Sequence, residues 1–267
     1  MKLAIVGNSH VGMLKAASDR AAYADVRFGW FANAGRGLQG VSVQGSRLVA
    51  GTKRLRANLQ KLGLPDELDV DAYDATVLVG TTASALNAAY ILRNHVVGRW
   101  LAPETAASLL EREAVGGGVP QFLSEDGFVA ALVDIIRANL TYEFVRELRR
   151  ATQAPLVVLP QPFLSEMVLS PDAEKYKVFN RVQHLGVFAE TARALSMAHV
   201  RAFEGFDAVH VLEPPEETIA NGLFTQQKYT QGSVRLDQSR AHVAADMLHA
   251  NAEYGALCLD NVVNQFS

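Results

Sequence analysis

Short apolar runs alternate along this chain with helical patterns, and this alternation is the feature that most constrains the fold. Five such runs lie at residues 2–6, 25–32, 76–79, 155–159 and 208–212, the last being the weakest. Strands that are buried on both faces of a parallel sheet read as continuous apolar runs, and parallel neighbours need crossover connections, usually helices. The sequence therefore predicts an α/β fold with a parallel sheet of about five strands and helices on both faces.

Three stretches carry the helical patterns. Residues 127–150 predict one long helix, because Phe128, Leu132, Ile136 and later apolar residues recur at every fourth position. Residues 239–263 predict the last helix, and residues 164–202 predict a helical insertion after the fourth strand. Residues 116–120, which contain three glycines and a proline, predict a loop. Because the composition shows no break, we predict a single domain over residues 1–267.

Composition and charge exclude several classes of protein. The 267 residues are 49% hydrophobic and 20% charged, which excludes a disordered or fibrous chain. Lys and Arg number 25 against 28 Asp and Glu, and the net charge of −3 lacks the basic signature of a nucleic-acid binder. Cys258 is the single cysteine, so the chain forms neither an internal disulfide nor a zinc or iron–sulfur site built from cysteines.

The apolar runs are also too short for a membrane span, which needs roughly 20 apolar residues. The first run is shorter than the roughly 7–15 residues that form the core of a signal peptide. We therefore predict no membrane span and a cytoplasmic location.

A polar tetrapeptide, Gly7, Asn8, Ser9 and His10, follows the first apolar run directly. In a parallel α/β fold this is a strand-to-helix turn at the carboxyl edge of the sheet, where such folds bind ligands. A serine there lies at a helix N-terminus, where free backbone N–H groups and the helix dipole stabilise developing negative charge. The same residues also fit a helix cap and a tight glycine turn without chemistry.

Near the other end of the chain, Asp246 and His249 stand three residues apart, and Asn251 follows. On a helical turn this spacing brings the two side chains to the same side. The carboxylate then holds one ring nitrogen of the histidine and fixes its tautomer, as a catalytic dyad requires. Such pairs are also common on solvated helices, so this pair is informative only together with Ser9.

The GxSx turn after the first strand, taken with the DxxHxN motif near the C-terminus, resembles the SGNH (GDSL-type) hydrolase family. The resemblance covers both ends of the chain and the strand order, with Asn8 where the family usually has Asp. It implies a flavodoxin-like three-layer α/β/α sandwich and a serine esterase that needs neither a cofactor nor a metal. It also implies Ser9 as the nucleophile, His249 as the general base and Asp246 as the residue that orients His249.

The family's two middle blocks supply donors to the oxyanion hole, and their match in this chain is poorer. The backbone N–H of Ser9 is one expected donor. For the glycine block the resemblance points to Gly35, after the second strand, with Gly37 and Gly40 as competitors. In the third block Thr82 stands where the family has Asn, and its shorter hydroxyl is expected to be a partial third donor.

Other interpretations of the same residues stay open. Gly7 and Gly12 after a strand suggest a dinucleotide-binding turn, although the middle glycine of that motif is missing. His242, Asp246 and His249 share one helix face at positions i, i+4 and i+7, which is a spacing of metal ligands. We expect His242 to be only a neighbour of the dyad.

Three basic residues, Lys228, Arg235 and Arg240, precede the last predicted helix and form a loose cluster. Such a cluster either contacts an anionic group of a substrate or belongs to a solvated surface.

The sequence thus predicts a serine esterase that hydrolyses a small acyl ester through an acyl-enzyme. We favour an O-acetyl group on a carbohydrate as substrate, because no long apolar surface segment suits an acyl-chain tunnel. The alternatives are an O-acyltransferase with the same triad and a degenerate SGNH module that binds without turnover. We expect a small-molecule or carbohydrate ester as the partner and no nucleic acid, and the sequence does not indicate an oligomeric state.

Overall fold

A computed structural model of the chain describes residues 1–35, 37–114 and 121–266. The strands are β1 (Lys2–Gly7), β2 (Arg27–Ala32), β3 (Val41–Gln44), β4 (Arg47–Ala50), β5 (Glu67–Asp69), β6 (Ala75–Val79), β7 (His95–Val97), β8 (Gln121–Leu123), β9 (Leu156–Leu159), β10 (Val209–Val211), β11 (Ile219–Ala220) and β12 (Phe224–Thr225). The helices are α1 (Val11–Ser18), α2 (Lys53–Lys61), α3 (Ala85–Asn94), α4 (Pro103–Ala114), α5 (Glu125–Arg137), α6 (Leu140–Leu148), α7 (Val178–Leu185), α8 (Phe188–Phe203) and α9 (Ala252–Gln265). The loop predicted at residues 116–120 lies outside the described residues.

The central sheet has five parallel strands in the order β2-β1-β6-β9-β10. Each of the five apolar runs forms one of these strands, which confirms the predicted sheet. Gly7 pairs with Ala32 of β2 and with Val79 of β6, so the carboxyl ends of three strands are level at one edge. The chain order reverses between β1 and β6, and such a switch point is where open parallel sheets bind ligands.

The sheet is covered on both faces because its side chains alternate between two apolar cores. Leu3 and Ile5 pack in one core with apolar residues of α1 and α9. Ala4 and Val6 pack in the other core, which also holds residues of α3, α5, α6, α7 and α8. The molecule is therefore a three-layer α/β/α sandwich whose sheet, counted by its own five strands, has the flavodoxin-like order 2-1-3-4-5.

The prediction of one helix over residues 127–150 is wrong in its continuity. Two helices, α5 and α6, cover this stretch, and Asn139 separates them with an extended backbone (φ −101°, ψ 159°). The Asn139 side chain donates a hydrogen bond to the Ile135 carbonyl oxygen at 2.6 Å and thereby closes the end of α5. The apolar residues that recur at every fourth position do face the core, since Phe128 of α5 and Phe144 of α6 are both buried in the same core.

The prediction of a last helix over residues 239–263 is wrong at its beginning, because α9 begins at Ala252. Asn251 is its N-cap, and the Asn251 side-chain oxygen accepts from the N–H groups of Glu253 and Tyr254 at 3.0 and 3.2 Å. Asn is a preferred N-cap residue, and an acidic residue in the first turn favours the helix dipole. Residues 239–251 are therefore mostly irregular, and the predicted dyad lies in this non-helical segment.

Residues 164–202 are partly helical, as predicted, and include α7 and most of α8. Helix α8 lies on the connection from β9 to β10, so it also serves as a crossover of the central sheet. The apolar runs do not reveal the smaller sheets, which are antiparallel β3-β4-β5, parallel β7-β8 and antiparallel β11-β12. None of the helices in the described ranges is long and apolar enough to cross a membrane.

Candidate active site

Ser9 lies at the carboxyl end of β1, in the turn that leads into α1. The Asn8 side-chain oxygen accepts a hydrogen bond from the His10 N–H at 3.0 Å, so Asn8 and His10 bracket Ser9 in an Asx turn. Asn8 can make this turn as well as an aspartate, because only the side-chain oxygen is used. Gly80, at φ +66°, leaves room for Asn8, since a Cβ there would lie 2.7 Å from that oxygen.

The structure brings Ser9, Asp246 and His249 together. The Ser9 Oγ lies 2.9 Å from the His249 Nε2. On the other side of the ring, the His249 Nδ1 lies 3.0 Å from Asp246 Oδ2 and 3.2 Å from Asp246 Oδ1. These distances confirm the predicted proximity of the three side chains and match a hydrogen-bonded serine, histidine and carboxylate in line.

The backbone before α9 holds this arrangement in place. Asp246 forms its own Asx turn, because its Oδ1 accepts from the N–H groups of Leu248 and His249 at 2.8 and 3.0 Å. The Asn251 amide donates to the carbonyl oxygens of Lys228 and Gln231 at 2.8 and 2.9 Å. Asn251 therefore ties the histidine loop to a neighbouring turn while it caps α9.

A close helix contact sets the distance between the serine turn and the histidine loop. Helix α9 packs against α1 at Gly255, where an added Cβ would lie 2.1 Å from the Met13 carbonyl oxygen. Such a contact is possible only for glycine, so Gly255 allows the two helices to approach. Ser9 lies two residues before the start of α1 and His249 three residues before the start of α9, so this approach of the helices brings the two side chains within hydrogen-bond distance.

Asp246 is held as a carboxylate. Burial by itself raises the pKa of the Asp246 carboxyl, but hydrogen bonds from the His249 ring and from the N–H groups of Leu248 and His249 outweigh it and lower that pKa well below its ordinary value. An ionised carboxylate only accepts hydrogen bonds, so His249 must carry its proton on Nδ1. The His249 Nε2 is then free to accept the Ser9 hydroxyl proton.

Two backbone donors were expected at the oxyanion hole. Among the described residues, nothing accepts a hydrogen bond from the Ser9 N–H, so this donor is available. Gly35 lies in an exposed turn after β2 at φ +60°, and a Cβ there would meet no atom within 4 Å. The Gly37 N–H is already bonded to the Ala34 carbonyl oxygen at 3.1 Å, which leaves Gly35 the better candidate, and its donor role stays a prediction.

Thr82 is placed differently from the prediction of a partial third donor. Its side chain is buried, and its Oγ1 lies 3.2 Å from the His199 Nε2. Burial lowers the pKa of His199 to about 4, and the His199 Nδ1 bonds to the Leu195 carbonyl oxygen at 2.9 Å. The neutral ring thus has only Nε2 left as an acceptor, so the Thr82 hydroxyl proton goes to His199.

Two further histidines border His249, and the sequence interpretation missed the importance of both. The His242 ring stacks on the His249 ring with centroids 4.0 Å apart and planes 8° apart. The His10 ring lies 5.1 Å from the His249 ring at a tilt of 33°. Burial, followed by the positive charge of protonated His249, lowers the pKa of His10 to about 3, so His10 is neutral.

His242, Asp246 and His249 are also the group with metal-ligand chemistry in the described part of the chain, and their donor atoms lie within 4.8 Å of one another. An imidazole binds a metal ion in the plane of its ring. Because the two rings are stacked and nearly parallel, no point at bonding distance lies in both planes. One ring would have to turn before both could bind a single ion, so the group as it stands does not fit a metal site.

The structure also accounts for two features that the sequence analysis left open, the glycine at position 12 and the basic cluster. At Gly12 a Cβ would lie 3.0 Å from the Val234 carbonyl oxygen, so this glycine admits a neighbouring chain segment that covers the turn. That packing explains Gly12 without a dinucleotide. All three residues of the basic cluster, Lys228, Arg235 and Arg240, are exposed. The Arg235 N–H bonds to the Arg240 carbonyl oxygen at 3.0 Å within a short hairpin.

Comparison with family models and with curated proteins gave no match to this sequence.

Proposed function

We propose that the protein is a serine esterase of the SGNH type, with Ser9 as nucleophile. The observation that carries the proposal is the continuous hydrogen-bonded line from Ser9 Oγ to His249 Nε2 at 2.9 Å and from His249 Nδ1 to Asp246 Oδ2 at 3.0 Å. The site lies at the topological switch point of a flavodoxin-like sheet, which is the expected place for chemistry in such a fold.

In the proposed reaction, Ser9 Oγ attacks the ester carbonyl carbon while His249 Nε2 takes the hydroxyl proton. Asp246 stays ionised and stabilises the imidazolium that forms. The tetrahedral intermediate collapses when the imidazolium gives its proton to the leaving alkoxide oxygen, which releases the alcohol and leaves an acyl group on Ser9. Water then attacks the acyl-enzyme with His249 again as the base, and the acid leaves.

Negative charge on the carbonyl oxygen needs donors, and the free N–H of Ser9 is the first. Gly35 is the proposed second donor. Because the Thr82 proton is bonded to His199, the proposed hole has two donors where the family has three. Loss of one donor costs roughly 3–4 kcal/mol of transition-state stabilisation, so we expect a slow enzyme.

We propose a small acyl ester, such as an O-acetyl group on a carbohydrate, as the substrate. A cavity of about 400 Å³ begins at Asn33, just beyond the carboxyl end of β2 and so at the sheet edge where β1 also ends, and polar side chains including Gln39, Thr52, Arg54 and Asn58 line it. Such side chains can bond to sugar hydroxyl groups, which supports a polar substrate. We keep the cytoplasmic location as part of this proposal.

The test is release of nitrophenol from 4-nitrophenyl acetate by the full chain. We expect turnover in the wild type and none in Ser9→Ala. Ser18→Ala is the matched control, because Ser18 is the last residue of α1, at the opposite end from Ser9, and its hydroxyl bonds to the Lys15 carbonyl oxygen. Transfer of the acyl group to an added sugar in preference to water would indicate the acyltransferase. Equal rates in wild type and Ser9→Ala would contradict the proposal and favour a binding module.

A further inference from the structure

The cavity beyond β2 lies between the turn that follows this strand and the first turn of α2. Asn33 connects it to the serine turn, because the Asn33 N–H donates to the Gly7 carbonyl oxygen at 3.1 Å and Gly7 stands two residues before Ser9. Neighbouring strands lie about 4.8 Å apart, so the cavity begins about one strand spacing from that turn. A substrate whose acyl group lies at Ser9 can therefore extend its other part into the cavity.

Asn33 carries the observation that points to a ligand. Its side chain is only 6% exposed, and its Nδ2 is buried without a hydrogen-bond partner among the described residues. The amide lies against Gly37, which also lines the cavity, because a Cβ added there would lie 2.2 Å from Nδ2. A half-turn about the Cβ–Cγ bond exchanges the two ends of the amide, so Asn33 can present a donor to the cavity. A buried donor without an acceptor is costly, and this favours a ligand that accepts.

The charge of the lining is one-sided. Among the described residues that line the cavity, Arg54 is charged and none is acidic. Arg54 is exposed, and no ion pair holds its guanidinium in the part of the chain that the structure describes. Arg54 and Asn58 are four residues apart and share one face of α2, whereas Leu55 and Leu59 are buried in the core. The polar face of α2 thus brings one free cation and one amide to the cavity.

The N-terminus of α2 adds positive character to the same side. The first turn of α2 holds no acidic residue. Thr52 caps the helix by accepting from the Leu55 N–H at 3.2 Å, so its hydroxyl proton remains to be donated. The N–H groups of Lys53 and Arg54 have no acceptor within the described ranges, and the helix dipole places partial positive charge there. A group with negative charge is therefore favoured in this cavity.

We propose that the cavity binds a carboxylate of the substrate, and hence that the ester belongs to an acidic carbohydrate. The inference rests on the proposed esterase function and names the substrate class of the same site. Arg54 pairs with the carboxylate, since the guanidinium fork matches its two oxygens, and the amides of Asn33 and Asn58 bond to those oxygens or to sugar hydroxyl groups. A carboxylate fits better than a phosphate, because the lining offers one cation and a phosphate monoester carries nearly two negative charges.

The first test is binding to the full chain, which needs no turnover. Calorimetric titration with glucuronate is compared with titrations with glucose and with glucose 6-phosphate. We expect glucuronate to bind about tenfold more tightly than glucose, because its carboxylate adds bonds to a charged partner, and more tightly than glucose 6-phosphate. Salt at about 0.5 M should weaken the binding of glucuronate and leave that of glucose unchanged.

Two variants assign the contacts. Arg54→Gln should weaken glucuronate binding about tenfold, and Lys61→Gln is the matched control, because it makes the same charge change in the last turn of α2. Asn33→Ala should weaken it about fivefold without lowering the melting temperature, since Nδ2 has no partner to lose in the free protein. A merely structural Asn33 would show the reverse, a lower melting temperature with unchanged affinity.

Release of acetate from acetylated glucuronate and from acetylated glucose connects the cavity to the reaction. We expect kcat/KM to favour the acidic sugar about tenfold, and this ratio to fall towards one in Arg54→Gln. Equal binding of glucuronate and glucose, tighter binding of glucose 6-phosphate, or wild-type affinity in Arg54→Gln would overturn the inference. If both acetylated sugars are hydrolysed at equal rates, the inference fails and the esterase stands. If glucuronate binds and no acetate is released from either sugar or from 4-nitrophenyl acetate, the proposed function fails and the carboxylate site stands.

Discussion

Replacing Gly255 by alanine tests whether the contact between α1 and α9 sets the catalytic geometry. The added Cβ would lie 2.1 Å from the Met13 carbonyl oxygen, whereas real Cβ contacts essentially never fall below 3.0 Å. The two helices must therefore separate by about 1 Å, an overpacking that costs roughly 1–3 kcal/mol of unfolding free energy.

The same displacement acts on the triad. Asn251 caps α9 and lies two residues after His249, so a movement of α9 stretches the 2.9 Å bond between Ser9 and His249. A displacement of about 1 Å at a catalytic group can cost about 100-fold in rate. We expect kcat of Gly255→Ala to fall between about 10-fold and 100-fold with little change in KM.

The assay pairs urea unfolding with steady-state hydrolysis of 4-nitrophenyl acetate. Gly205→Ala is the matched control, since a Cβ at Gly205 would meet no atom within 4 Å. We expect that control to keep both stability and kcat. An unchanged kcat in a destabilised Gly255→Ala protein would refute the reasoning, because the helix contact would then not determine where His249 lies.

Two further predictions follow from buried polar contacts. Thr82→Ala should lower the unfolding free energy by about 1–2 kcal/mol, because His199 Nε2 loses its hydrogen-bond donor. We expect kcat to stay within about twofold of wild type. A tenfold loss of kcat would instead indicate that Thr82 is a donor to the oxyanion hole. Asp246→Asn should lower kcat by about 10³ to 10⁴. Because folding lowers the pKa of Asp246, its carboxylate stabilises the wild type above about pH 4, and this contribution is lost as the pH falls further. Asp246→Asn should therefore show a shallower loss of stability in acid, and an identical acid unfolding curve would contradict this.

The central sheet and the proximity of Ser9, Asp246 and His249 could be predicted because each depends on strong local signals. A strand buried on both faces needs a continuous apolar run, and β1, β6 and β9 have one. Ser9 follows directly on such a run, and the spacing of Asp246 and His249 suits any tight turn. An Asx turn at Asp246 brings the two side chains together in place of the expected helical turn, so the predicted proximity holds although the predicted helix is wrong.

The start of α9 could also have been predicted from the sequence. Asn251 followed by Glu253 in the first turn is a helix start signal, and it marks Ala252 as the first helical residue. The break at Asn139 has a similar local cause. In both places a periodic apolar pattern suggested a longer helix, because periodicity continues across a short interruption.

The role of Thr82 could not be predicted from the sequence. Its partner, His199, lies 117 residues away on α8, and only the packing of α8 against the sheet brings the two together. The stack of His242 on His249 likewise depends on how the hairpin of residues 233–242 sits on α1. Contacts of this kind arise from tertiary structure, and no spacing or composition encodes them.

The most direct test of the central claim is covalent labelling of the folded protein with a fluorophosphonate, followed by mass spectrometry of its peptides. The account predicts one adduct per chain, carried by Ser9 and strongly reduced in His249→Gln, because that variant lacks the base that activates the hydroxyl. An unlabelled Ser9 in the folded wild type, or labelling that is equally fast in His249→Gln, would contradict the claim that Ser9 is an activated nucleophile.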